Sequence, residues 1–71
     1  MINAILNRIR LTRLEKNFSQ DYLASKIGMS QSYYARIESG KNPLTINYLL
    51  KIAEVLEISP KKLFDKKKAR T

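Results

Sequence analysis

The stretch SQDYLASKIGMSQSYYARIESGK, residues 19–41, decides the fold. It holds two helix-like patterns, each opened by a serine and each closed by a glycine, Gly28 or Gly40. Ser19 can accept a backbone N–H orphaned in the first turn of QDYLASKI, and Asp21 suits the positive end of that helix dipole. Gly28 can take the left-handed conformation without a Cβ penalty, so the chain can turn sharply there. Ser30 and Gly40 bracket QSYYARIES in the same way. Leu23, Ile27, Met29, Tyr34 and Ile37, with the small Ala24 and Gly28, fall where two steeply crossing helices must touch. Gln31, Ser32, Tyr33, Ala35 and Arg36 are then left on the outward arc of the second helix.

On the N-terminal side a first helix is expected over about residues 3–16, with Leu6, Ile9 and Arg13 on one face at i, i+3 and i+7. Ile5 joins that side, and Leu11 and Leu14 lie nearer its edge. On the C-terminal side Thr45 caps INYLLKIAEVL, whose apolar letters Ile46, Leu49, Leu50, Ile52, Ala53 and Leu56 spread wider than one stripe. Ser59 and Pro60 form a cap and first-turn proline for a short helix, PKKLF, expected to bury Leu63 and Phe64. The chain has only two glycines and two prolines, all between these segments, and no strand alternation competes. The reading is therefore one all-α domain over residues 1–65 and a basic, frayed tail over 66–71.

A chain of 71 residues can bury only about 60% of its unfolded surface, which leaves little spare length for a catalytic cleft. Without cysteine or histidine, it has no disulfides, thiol nucleophiles, imidazole bases or ordinary zinc ligands. No nucleophile–base pair, metal cluster or phosphate-cradling glycine loop can be assembled from what is left, so no enzyme activity, metal or cofactor is expected. Fourteen Lys and Arg against six Asp and Glu make a net charge of +8, which favours a polyanionic partner such as nucleic acid. Composition alone suits a ribosomal or membrane-surface protein equally well. No apolar run approaches the roughly 20 residues of a membrane span, and MINAILNRIRLTR is too interrupted by Asn and Arg for a signal peptide. A cytoplasmic setting is the default.

A helix, a glycine-containing turn and a second helix make the helix-turn-helix plan. With RIRLTRLEKNFSQ before it and ESGKNPLTINYLLKIAEVLEISPKKLF after it, the chain resembles the phage-repressor and Cro-like family, the XRE-type helix-turn-helix proteins. The resemblance runs from about Leu6 to Phe64. It implies a compact five-helix, lambda-repressor-like DNA-binding domain with the helix-turn-helix formed by helices 2 and 3. It further implies a transcription regulator that binds double-stranded DNA as a homodimer on a palindromic operator, with the N-terminal end of helix 3 in the major groove.

On that plan Gln31 suits adenine N6 and N7, and Arg36 suits guanine O6 and N7. Ser32 can serve base or phosphate, and Tyr33 can press on a thymine methyl or reach a phosphate oxygen. Gln20, Ser30, Lys41 and Asn42 are placed to clamp phosphates beside the groove. The resemblance also implies a buried ion pair between Arg13 and Glu38. Tyr34 departs from the family, which usually has an aliphatic residue there. Its ring must fit the core while its hydroxyl finds water or a partner at the edge, and an exchange of roles between Tyr33 and Tyr34 stays open.

A single module of this kind covers roughly 600–1,000 Å² of DNA, so a symmetric dimer on half-sites about one helical turn apart is expected. Tyr48, Val55, Ile58 and Phe64 are candidates for its interface, the alternative being that they complete the monomer core. With no room for an effector pocket, the chain reads as a Cro-like, controller or small-repressor protein. A fragment of a longer repressor is the alternative. RNA polymerase is a further candidate partner, and a different reading is a small antitoxin whose main partner is a toxin. The basic KKLFDKKKAR adds either non-specific attraction to nucleic acid or a plain solvated tail.

Overall fold

The computed structural model describes residues 2–64. The expected frayed tail, 66–71, lies outside the described residues. Within them five helices follow one another without a strand: α1 (Ile2–Glu15), α2 (Gln20–Ile27), α3 (Gln31–Ser39), α4 (Ile46–Leu56) and α5 (Pro60–Phe64).

Each helix from α2 onward starts on a hydroxyl. Ser19 Oγ accepts from the Tyr22 N–H at 2.9 Å, Ser30 Oγ from the Tyr33 N–H at 3.1 Å, and Thr45 Oγ1 from the Tyr48 N–H at 3.1 Å. Ser59 Oγ accepts from the Lys61 N–H at 3.2 Å. These bonds satisfy donors that a helix start leaves without an intrahelical partner. The ends of α1 to α4 are equally uniform. Asn17, Gly28, Gly40 and Glu57 all take positive φ, at 62°, 80°, 89° and 59°. The next residue's N–H then reaches back five positions: Phe18 to the Arg13 carbonyl, Met29 to Ala24, Lys41 to Arg36 and Ile58 to Ala53, at 2.8–3.1 Å. Gly28 and Gly40 were legible as stops, whereas nothing in the sequence marks Glu57 as a left-handed residue.

The helices close around Ile5, Ile9, Leu23, Ala24, Ile27, Tyr34, Leu49, Ile52, Ala53, Leu56 and Leu63. Burying each large aliphatic side chain among these contributes about 1.5–3 kcal/mol before the cost of ordering the chain. α2 packs on α3 and α4, and α1 lies against α3, α4 and α5. Ala24 has no exposed surface. Tyr34 is also fully buried while Tyr33 is 37% exposed, so Tyr34 is the inward residue of the two and Tyr33 the outward one.

Two sequence expectations are corrected. α1 covers Ile2–Glu15 rather than 3–16, because Asn17 turns left-handed and closes the helix early. Phe64 is 47% exposed although Leu63 is buried; successive helical residues point about 100° apart, and α5 meets the core on the Leu63 side. The wide apolar spread of α4 also divides. Leu49, Ile52, Ala53 and Leu56 face the core, while Ile46 and Leu50 stand outside at 66% and 49% exposure.

Holding a non-glycine residue left-handed costs roughly 1–2 kcal/mol, partly offset in a glycine variant by its freer unfolded chain. Glu57→Gly is therefore expected to stabilise the domain by about 0.5–1 kcal/mol, raising the thermal midpoint by several degrees in a scanning calorimetry or circular dichroism melt.

Candidate nucleic-acid interface

The inner side of α3 is organised by one buried carboxylate. Glu38 Oε2 accepts from Arg13 Nε at 2.9 Å and from the Tyr34 hydroxyl at 2.7 Å. Its Oε1 accepts from Arg13 Nη2 and from Gln20 Nε2, each at 3.0 Å. Arg13 thus meets Glu38 as a two-pronged fork, and its remaining Nη1 donates to the Phe18 carbonyl at 2.9 Å. Arg13 and Glu38 are 7% and 8% exposed, so the pair expected from the family resemblance is buried. The Tyr34 hydroxyl finds its partner inside, in Glu38, rather than at the edge as the sequence suggested.

These contacts determine the charge states. Burial pushes the Glu38 carboxyl up, but the hydrogen bonds from Arg13, Tyr34 and Gln20 outweigh it and hold the group below its ordinary 4.5. The hydrogen bond to Glu38 raises the Arg13 guanidinium against the opposing effect of burial. Burial, followed by the bond to Glu38, keeps the Tyr34 hydroxyl well above the usual phenol range.

With Tyr34, Ile37 and Glu38 turned inward, Gln31, Ser32, Tyr33 and Arg36 are all exposed on α3, and Ala35 is half-buried among them. Lys41 is exposed just past α3 and Asn42 is half-buried. Both are held by their backbone N–H groups on the Arg36 carbonyl, at 2.8 and 3.0 Å. Ser30 is exposed at the start of α3 and uses its oxygen as the cap, which leaves its O–H to donate outward. Gln20, half-buried at the start of α2, has one amide hydrogen engaged by Glu38, leaving the other available.

The interface candidates on α4 and α5 scatter. Val55 and Ile58 are half-buried against the chain's own core. Tyr48 sits edge-on to Tyr33, with ring centroids 6.1 Å apart and planes at 73°. Sequence reasoning did not connect Tyr48 to the outward side of α3, and no short-range spacing signals a contact between residues 33 and 48. Phe64 alone of the four stays largely exposed. At the start of α2 the half-buried Phe18 ring lies 4.7 Å from the exposed Tyr22 ring, with Lys26 Nζ 5.5 Å from the latter.

Two short helices, α2 and α3, packed on each other and joined by a tight glycine turn make this a helix-turn-helix protein. The helix-turn-helix family profile matches residues 9–63, and the chain belongs to that family, in its XRE-type, Cro-like branch. It is 42% identical over 52 residues to the HTH-type transcriptional regulator RamB of Mycobacterium tuberculosis, covering 73% of this chain and 11% of RamB. It is 40% identical over 62 residues to the HTH-type transcriptional regulator SinR of Bacillus subtilis, covering 84% of this chain and 55% of SinR. Control protein C.MunI of a Mycoplasma species is 36% identical over 59 residues, with 82% of this chain and 80% of that protein covered. The chain therefore spans about a tenth of RamB and about half of SinR, but most of the control protein. No solved structure gives a significant match. Among the described residues no helix is long and apolar enough to cross a membrane.

Removing Glu38 strands a buried guanidinium, so Glu38→Ala is expected to cost about 3–5 kcal/mol in denaturant unfolding. Tyr34→Phe deletes one hydrogen bond to a charged group and is expected to cost less, about 1.5–3 kcal/mol. Because the folded Glu38 value is depressed, its stabilisation is complete above 4.5 and lost as pH falls through the lower folded value. The thermal midpoint of the wild-type chain should drop over that acid range, and Glu38→Ala should flatten that part of the profile.

Proposed function

We propose that this domain reads double-stranded DNA as the sequence-specific part of a transcription regulator. In this reading α3 enters the major groove, and two copies bind the halves of a palindromic operator. The observation that carries the proposal is the division of α3. Tyr34, Ile37 and Glu38 are committed inward, while Gln31, Ser32, Tyr33 and Arg36 are presented together on the exposed side. Gln31 offers a donor and an acceptor to adenine, and Arg36 offers paired donors to guanine, each such pair worth about 1–3 kcal/mol of discrimination. Ser32 and Tyr33 complete the reading surface.

Gln20, Ser30, Lys41 and Asn42 flank it and hold phosphates, which sets register without reading sequence. The net charge of +8 supplies the long-range attraction. Dimerisation uses exposed apolar surface of α4 and α5, where Phe64, Ile46 and Leu50 remain uncovered. The protein acts without catalysis, in the cytoplasm. The relatives named as transcriptional regulators and as a control protein support this reading.

Selection from a random duplex pool followed by footprinting is expected to return a two-fold symmetric site with half-sites about one helical turn apart. Comparable affinity for scrambled duplexes at moderate salt would overturn the proposal. Arg36→Ala is expected to relax preference at one base position. Lys41→Ala is expected to weaken all sequences alike and to reduce the slope of log affinity against log salt by about one.

A further inference from the structure

We infer that Tyr48 is a positioning residue for base recognition: packed edge-on against Tyr33, it holds that ring forward as a sensor of a thymine 5-methyl group. This rests on the proposed reading of DNA by α3 and assigns a role to a residue of α4 that touches no base itself.

The backbones of α3 and α4 stay apart, so side chains must bridge them. The Tyr33–Tyr48 pair is one such bridge, with centroids 6.1 Å apart and planes at 73°, the edge-to-face arrangement that aromatic quadrupoles favour. The two rings differ in freedom. Tyr48 is half-buried and its backbone is tied by the Thr45 cap at 3.1 Å. Tyr33 stands in the first turn of α3, with 37% of its surface exposed. The anchored ring thus restricts the exposed one, and an exposed aromatic side chain held in one place can meet a methyl group at lower ordering cost.

The neighbouring Tyr48 is the leading reason that the Tyr33 phenol ionises above its ordinary range. The carbon edge of the exposed Tyr33 ring is the apolar surface available to the groove. Among the bases only thymine offers an apolar group there.

The test measures binding of the full chain to its selected half-site pair, with each thymine in turn replaced by deoxyuridine, which lacks only the 5-methyl group. Wild-type affinity is expected to fall about fourfold at one thymine per half-site, the effect of losing one buried methyl-sized contact. Tyr33→Ala and Tyr48→Ala should each abolish that response. Tyr48→Phe keeps the ring and should retain it, and the double alanine variant should respond no differently from Tyr33→Ala. Tyr48→Leu keeps apolar bulk over α4 and makes the same distinction if the alanine variant melts below the assay temperature. The inference fails if Tyr48→Ala and Tyr48→Leu respond like wild type, if Tyr48→Phe loses the response as fully as they do, or if no thymine responds in wild type. A wild-type chain with no sequence preference would overturn the DNA-reading proposal as well; a clear preference without a thymine response overturns this inference alone.

Discussion

The carboxylate of Glu38 is the constraint on which the rest depends. Four donors from three elements meet on it: two from Arg13 on α1, one from Gln20 at the start of α2 and one from Tyr34 on α3. An ionised group with such little exposure is tolerable only when both oxygens are fully engaged, and here each accepts two bonds. That requirement sets the rotation of α3 about its axis and the position of the α2 start relative to it. The apolar contacts supply the favourable energy of assembly but tolerate sliding. The directional bonds to Glu38 do not, so the exposed strip of α3 is fixed from its reverse side.

Much of this was legible in the chain because it was written in local chemistry. Serine or threonine before each of α2 to α5 marked the starts, and Gly28 and Gly40 marked two of the stops, since each residue type solves a backbone problem within a few positions of itself. The Arg13–Glu38 pair was legible only through the family resemblance. Charged residues within apolar periodicity can equally be exposed, and no local rule says that two such residues will meet.

What escaped the sequence reading depends on three-dimensional proximity or on a small energetic difference. Glu57 turns left-handed because the Ile58 N–H must reach Ala53 for α5 to fold back, and nothing in its side chain announces that. Phe64 turns outward while Leu63, one position before it, turns in, and neither residue type announces which of the two the core will take. Tyr48 meets Tyr33 across two helices that are not in backbone contact. The inward hydroxyl of Tyr34 is a different case: Glu38 lies four residues further along the same helix, so the spacing that brings the two together was already in the sequence.

The shortness of the helices has a further consequence. α2 has eight residues and α3 nine, below the roughly 12–15 at which an isolated helix becomes even marginal in water. The exposed strip of α3 therefore has no existence as a partly folded fragment. It appears and vanishes with the whole core, so warming a destabilised variant extinguishes its surface chemistry all at once. A genetic screen would recover core substitutions at Leu23, Ile37 or Ile52 as temperature-sensitive alleles, with phenotypes like those of lesions on the exposed strip itself.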